Sequence, residues 1–135
     1  MESDQQETPG LSDKTILIVE DDPTSQEFIR EVLRPTDAKL LIKGTGKAGL
    51  MAFADNQRID LVLMDIRLPD VSGTEVIRKI REKNAHIPIV VQTAYAMGED
   101  KQKYLQAGAN GYIAKPIEVN GLFAVLNKYM TSIDR

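Results

Sequence analysis

The chain has no cysteine, no long apolar run and no excess of positive charge. Without cysteine there is no disulfide framework, no thiolate zinc site and no cysteine nucleophile, and a reducing cytoplasm is the expected compartment. No run approaches the roughly 20 apolar residues of a membrane span, so no membrane insertion is expected. The start, MESDQQETPGLSDK, is acidic where a signal peptide is basic and then apolar. Lys+Arg total 17 against 20 Asp+Glu, a net charge of −3, which leaves no global positive field for a nucleic-acid backbone. What is present is ordinary: 135 residues, 42% hydrophobic and 27% charged, the composition of one globular domain.

Residues 1–13 are polar apart from Met1, Pro9 and Leu11 and read as a disordered leader, with the domain spanning residues 14–132. Within it, two kinds of segment alternate. Thr15–Val19, Leu40–Lys43, Asp60–Met64, Ile87–Gln92 and Gly111–Ala114 are short, aliphatic and β-branched, too short for helices. Their near-continuous apolar character marks strands covered on both faces. Between them lie helical patterns. Asp22 is a cap before Pro23, and Phe28, Ile29, Val32 and Leu33 form a stripe stopped by Pro35. Leu50, Met51 and Ala54 make a second stripe, and Ser72 with Glu75 caps a third helix that turns Val76, Ile77 and Ile80 inward. A fourth helix runs over Asp100–Ala107 and ends at Gly108. Val119, Leu122, Phe123, Leu126, Tyr129 and Met130 give the fifth. Alternating strands and helices predict an α/β fold with a doubly wound five-stranded parallel sheet, whose function lies beyond the carboxyl ends of the strands.

Those ends carry Glu20, Asp21 and Asp22 after the first strand, Asp65 after the third, Thr93 after the fourth and Lys115 after the fifth. If Glu20, Asp21 and Asp65 converge, each pair repels by about 4 kcal/mol at ~4 Å and an effective dielectric near 20. Such a pocket requires cations, and Lys115 supplies one. Carboxylates without His or Cys nearby suit Mg²⁺ or Mn²⁺, and such a metal leaves coordination sites for phosphate. Phosphoryl transfer follows, with Asp65 the carboxylate best placed as nucleophile. Thr93 and Lys115 are then placed to meet the phosphoryl oxygens.

The motifs ILIVEDDP (Ile16–Pro23), DLVLMDIRLPDVSG (Asp60–Gly73), QTAYA (Gln92–Ala96) and GYIAKP (Gly111–Pro116) resemble the receiver domains of two-component response regulators over Lys14–Met130. The tract from Thr93 to Ile117 is most similar to receivers of hybrid sensor histidine kinases. The resemblance implies the flavodoxin-like strand order 2-1-3-4-5, and Asp65 as the phosphoacceptor, becoming a 4-aspartylphosphate. It implies a metal site of Asp21, Asp65, Glu20 largely through water, and the backbone carbonyl of Arg67. Thr93 and Tyr112 are implied as a switch pair, and Lys115–Pro116 as a cis peptide. Arg67 and Tyr95 occupy positions that tune loss of the phosphoryl group, and the ring of Tyr95 is expected to slow it. The implied partner is a sensor histidine kinase or histidine phosphotransfer domain, with possible homodimerisation through the face made by helix 4, strand 5 and helix 5. Such a domain catalyses only its own phosphorylation and dephosphorylation. With no room for an output domain, the chain is expected to be a stand-alone regulator or an excised module.

Other readings compete. A phosphorylation-independent pseudo-receiver usually loses an acid, the threonine or the lysine, and none is lost here. An aspartyl-phosphate hydrolase wants a second Asp two residues after the nucleophile, where Arg67 stands. His86 precedes the fourth strand, at the end of the sheet opposite the acids, and is not expected to accept phosphate. The cluster Arg78–Lys83 reads as a solvated helix face. Gly44-Thr45-Gly46 lacks the spacing and lysine of a phosphate-binding loop. Tyr104 and Leu105 are expected to divide between core and surface on the fourth helix.

Overall fold

Strands and helices alternate strictly in the computed structural model, which describes residues 7–55, 58–94 and 99–131. The strands are β1 (Thr15–Val19), β2 (Lys39–Lys43), β3 (Leu61–Asp65), β4 (Ile89–Thr93) and β5 (Gly111–Ala114). The helices are α1 (Pro23–Leu33), α2 (Gly46–Asp55), α3 (Gly73–Lys83), α4 (Glu99–Ala107) and α5 (Val119–Leu126). All strand pairings are parallel, in the order β2-β1-β3-β4-β5, as the resemblance implied. The register sets Val19 beside Met64 and Asp65 beside Gln92, so the functional ends of the central strands finish level.

Alternation along each strand divides the apolar residues between two cores. Leu17, Val19, Val62, Met64, Ile89 and Val91 face α2, α3 and α4 through Ala52, Val76, Ile77, Ile80, Tyr104 and Ala107. Ile16, Ile18, Leu61, Leu63, Val90 and Ile113 pack with Ile29, Leu33, Leu122, Phe123, Leu126 and Met130 of the α1 and α5 side. Full burial of each large aliphatic side chain contributes roughly 1.5–3 kcal/mol, which is why these strands read as unbroken apolar runs.

The punctuation acts as the sequence predicts at several ends. Asp22 accepts a hydrogen bond from the Ser25 amide at 2.8 Å, with Pro23 in the first turn of α1. Ser72 accepts from the Glu75 amide at 3.3 Å to start α3. Gly108, at φ 122°, closes α4 in a conformation that a side chain would strain.

Four expectations need correction. Residues 1–13 are not wholly outside the domain: Leu11 is buried in the α1/α5 core, and its amide donates to the Thr36 carbonyl at 2.8 Å. In α2, Met51 is 61% exposed and Ala54 is also exposed, while Gly46, Gly49 and Ala52 are buried. Close packing demands small residues there, since a Cβ on Gly49 would stand 2.7 Å from Val19 Cγ2 of β1, and one on Gly46 2.5 Å from Val71 Cγ2. Val119 is exposed, and the helix after Leu126 continues as a π-helical turn over Asn127–Thr131, which still buries Met130. Arg81 is not simply solvated. Its guanidinium donates to the carbonyls of Gly108 and Asn84 and to Asn110 Oδ1, at 2.9, 3.1 and 2.8 Å. Asn110 Oδ1 also accepts from the Ile89 amide, and Tyr129 donates its hydroxyl to the Asn110 carbonyl at 3.2 Å, so α3, β4 and α5 meet at the C-terminal end of α4.

Candidate functional site

The acidic residues converge because their strands end together. Asp65 is the last residue of β3, one position inside the strand rather than after it, and Thr93 likewise ends β4. Glu20 follows β1, where its amide donates to the Lys43 carbonyl of β2 at 2.9 Å. Lys115 follows β5, and its peptide bond to Pro116 is cis, as implied. Carboxylate oxygens of Glu20, Asp21 and Asp65 all lie within 4.8 Å of one another, with Glu20 and Asp65 buried and Asp21 exposed. Lys115 Nζ stands 3.1 Å from Glu20 Oε1 and 3.2 Å from Asp65 Oδ2. Together with Asp22, Ile66, Arg67, Thr93 and Ala94 these residues line a cleft of about 250 Å³.

The charges are unevenly compensated. Burial pushes the Glu20 carboxyl above its ordinary value; the Asp22 amide, which donates to Oε2 at 2.9 Å, opposes this, the Asp65 charge adds to the rise, and Lys115 opposes it. For Lys115, burial lowers the ammonium, but the charges of Asp65 and Glu20 outweigh it and the net shift is upward. Three carboxylates against one ammonium leave a surplus of negative charge. That oxygen-only donor set fits a hard divalent cation.

Neighbouring loops are tied down around the acceptor. The Arg67 amide donates to Asp65 Oδ1 at 3.2 Å, and Arg67 bridges to Ser72 across the β3–α3 turn. Asp70, within that turn, accepts from the amides of Gly46 and Lys47 at 2.8 and 2.9 Å. These bonds hold its carboxyl below the usual range and explain the GTG segment as the start of α2. Gly73 is required where it sits, because a Cβ there would lie 2.3 Å from the Asp65 carbonyl oxygen.

Of the implied switch pair, Thr93 is buried and Tyr112 is 36% exposed, with Lys101 Nζ 5.2 Å from the centre of its ring. Two residues were given no role at the site by the sequence reading, although Tyr104 and Leu105 do divide between core and surface as expected. Tyr104 on α4 is buried, and its hydroxyl lies 3.2 Å from Thr93 Oγ1. The signal was a tyrosine on the inward stripe of a helix, because a buried phenol needs a polar partner. Gln92 is fully buried with neither amide atom hydrogen-bonded among the described residues. Leu105 is exposed, and so is His86 before β4. Tyr95 lies outside the described residues.

A family model described as the response regulator receiver domain matches residues 16–127. The chain belongs to this family. Among curated relatives, the receiver is 34% identical over 119 residues to the polar-differentiation response regulator DivK of Brucella anthropi, covering 87% of this chain and 96% of that protein. It is 36% identical over 120 residues to hybrid signal transduction histidine kinase I of Dictyostelium discoideum, covering 83% of this chain and only 7% of that much longer protein. A solved receiver domain of a sensor histidine kinase from Pseudomonas aeruginosa, with a magnesium ion coordinated in its active-site cleft, is 34% identical, has a TM-score of 0.79, and is matched over 87% of this chain and 98% of its own. A CheY-like receiver from Methanospirillum hungatei is 31% identical with a TM-score of 0.81, over 88% of this chain and 94% of its own. The receiver is thus a two-component signalling module, and its acidic cluster suits both a metal and phosphoryl acceptance.

Proposed function

We propose that this receiver takes a phosphoryl group from a partner's phosphohistidine onto Asp65, with Mg²⁺ held by Asp21, Asp65, the Arg67 carbonyl and, largely through water, Glu20. The carrying observation is Asp65 at the tip of β3 with Glu20, Asp21 and Lys115 gathered on it. Bound there, the metal supplies positive charge to phosphoryl oxygens and to the attacking carboxylate. The Asp65 carboxylate attacks phosphorus as the P–N bond to the imidazole breaks, and the imidazole leaves as a neutral base once it is protonated. Lys115 holds Asp65 in place beforehand and neutralises a phosphoryl oxygen afterwards. The Thr93 hydroxyl donates to another.

The output is conformational. Thr93 moves onto the phosphoryl group and Tyr112 turns inward, changing the face of α4, β5 and α5. The partner is a sensor histidine kinase or a histidine phosphotransfer domain in the cytoplasm, and the changed face is available for homodimerisation or a downstream protein. No other substrate is turned over. Arg67 and Tyr95 set how readily water reaches the acyl phosphate.

Incubation with acetyl phosphate and Mg²⁺ tests this directly. Intact mass is expected to rise by one phosphoryl group in the wild type and not in Asp65→Asn. A phosphorylated species that persists in Asp65→Asn, or none in the wild type, overturns the assignment.

A further inference from the structure

Helix α4 holds both residues of the proposed switch. From its inward face Tyr104 places its hydroxyl 3.2 Å from Thr93 Oγ1, and from its exposed face Lys101 stands 5.2 Å from the centre of the Tyr112 ring. Both partners of the first contact are buried, so water competes poorly for it. The Thr93 Oγ1 sits on a branched Cβ with few allowed rotamers, so a change of rotamer that carries it toward Asp65 carries it off Tyr104.

We infer that Tyr104 is a positioning residue whose phenol holds the Thr93 hydroxyl against α4 in the unphosphorylated receiver. Capture of Thr93 by a phosphoryl group on Asp65 and release of α4 are then one event. The inference rests on the assignment of Asp65 and Thr93 above. An interaction present in only one of two states biases the equilibrium toward that state, so the Tyr104 bond opposes activation. Removing the phenol oxygen alone shifts the receiver toward the active arrangement. This role does not require Tyr104 to touch the phosphoryl group.

The test is the affinity for beryllium fluoride with Mg²⁺, measured by calorimetry on four proteins: wild type, Tyr104→Phe, Thr93→Val and the double variant. Tyr104→Phe is expected to bind about three- to tenfold more tightly, the equivalent of one neutral hydrogen bond. In the Thr93→Val background the same change has no effect, because the two residues act through one contact. Unchanged or weaker binding by Tyr104→Phe overturns the inference, as does equal tightening in the Thr93→Val background, which marks a merely structural effect. Absence of binding by the wild type overturns the underlying assignment instead. Urea unfolding of each variant establishes that all four are folded at the assay temperature.

Discussion

Replacing Lys115 by methionine keeps an unbranched apolar stem and deletes the charge that stands between two buried carboxylates. At an effective dielectric near 20, its ammonium attracts Glu20 at 3.1 Å and Asp65 at 3.2 Å by about 5 kcal/mol each. Glu20 and Asp65, whose oxygens lie within 4.8 Å, repel by about 3.5 kcal/mol or more on the same scale. The desolvation of Lys115 returns part of the attraction, so the expected loss of stability without metal is about 3 kcal/mol, the low end for breaking a buried pair. Its pH dependence identifies the cause. Glu20 titrates above 4.5 in the folded wild type, and losing Lys115 raises it further. A carboxyl raised on folding stabilises the protein below its unfolded value, and that contribution is lost as pH rises through the folded value. Lys115 is itself displaced upward from 10.5, so the wild-type ammonium stays charged throughout the acid and neutral range. The deficit of Lys115→Met is therefore smallest on the acid side of the raised Glu20 value, where that carboxyl is protonated, and grows toward neutrality. Mg²⁺ should stabilise the variant more than the wild type, since it restores positive charge to a site that has lost its own. Urea unfolding across pH, with and without Mg²⁺, measures both effects. A deficit that is flat with pH, or an identical Mg²⁺ gain in the two proteins, refutes the reasoning.

Gly73→Ala sets a Cβ 2.3 Å from the Asp65 carbonyl oxygen and 2.9 Å from Ile66 Cα, both backbone atoms that yield only if the tip of β3 moves. Stability should fall by about 1–3 kcal/mol, and phosphorylation by acetyl phosphate should slow with it; an unchanged rate would show that the tip had not moved. Gln92→Leu replaces a buried amide without partners among the described residues by an apolar group of similar size. Urea unfolding should report a gain of about 1–3 kcal/mol, and a loss would mean that the amide is satisfied in solution.

The elements were legible because burial on both faces leaves an uninterrupted aliphatic signal in β1, β3 and β4, and because Asp22, Ser72 and Gly108 punctuate the helices by local hydrogen bonding and φ alone. The acceptor site was legible for a related reason: Asp65 and Thr93 end β3 and β4, and Glu20 and Lys115 follow directly on β1 and β5. Strand order was not contained in periodicity and came from family resemblance. What local pattern missed depends on packing distance. In α2 the bulky residues looked like the buried stripe, yet the buried positions are Gly46, Gly49 and Ala52, with Gly49 against Val19 of β1 and Gly46 against Val71 and Val76. Leu11 was an isolated hydrophobe in a polar stretch, and only the third dimension supplies its neighbours. Arg81 was counted among surface charges although its acceptors are 27 and 29 residues away in Gly108 and Asn110. The link between Tyr104 and Thr93 likewise joins positions that no short motif spans.

The anchoring of α4 at one end gives it the mechanics of a lever. Arg81, Asn110 and Tyr129 fix the fulcrum near Gly108. At about 1.5 Å of rise per residue, Tyr104 lies about 6 Å along the axis from that point and Glu99 about 13 Å. If the helix turns as a rigid rod once Thr93 lets go, a shift of about 1 Å at Tyr104 corresponds to roughly twice that at the far tip. On the release inferred above, the loss of one buried hydroxyl contact near the middle of α4 is expressed most at the end of the helix farthest from its anchor.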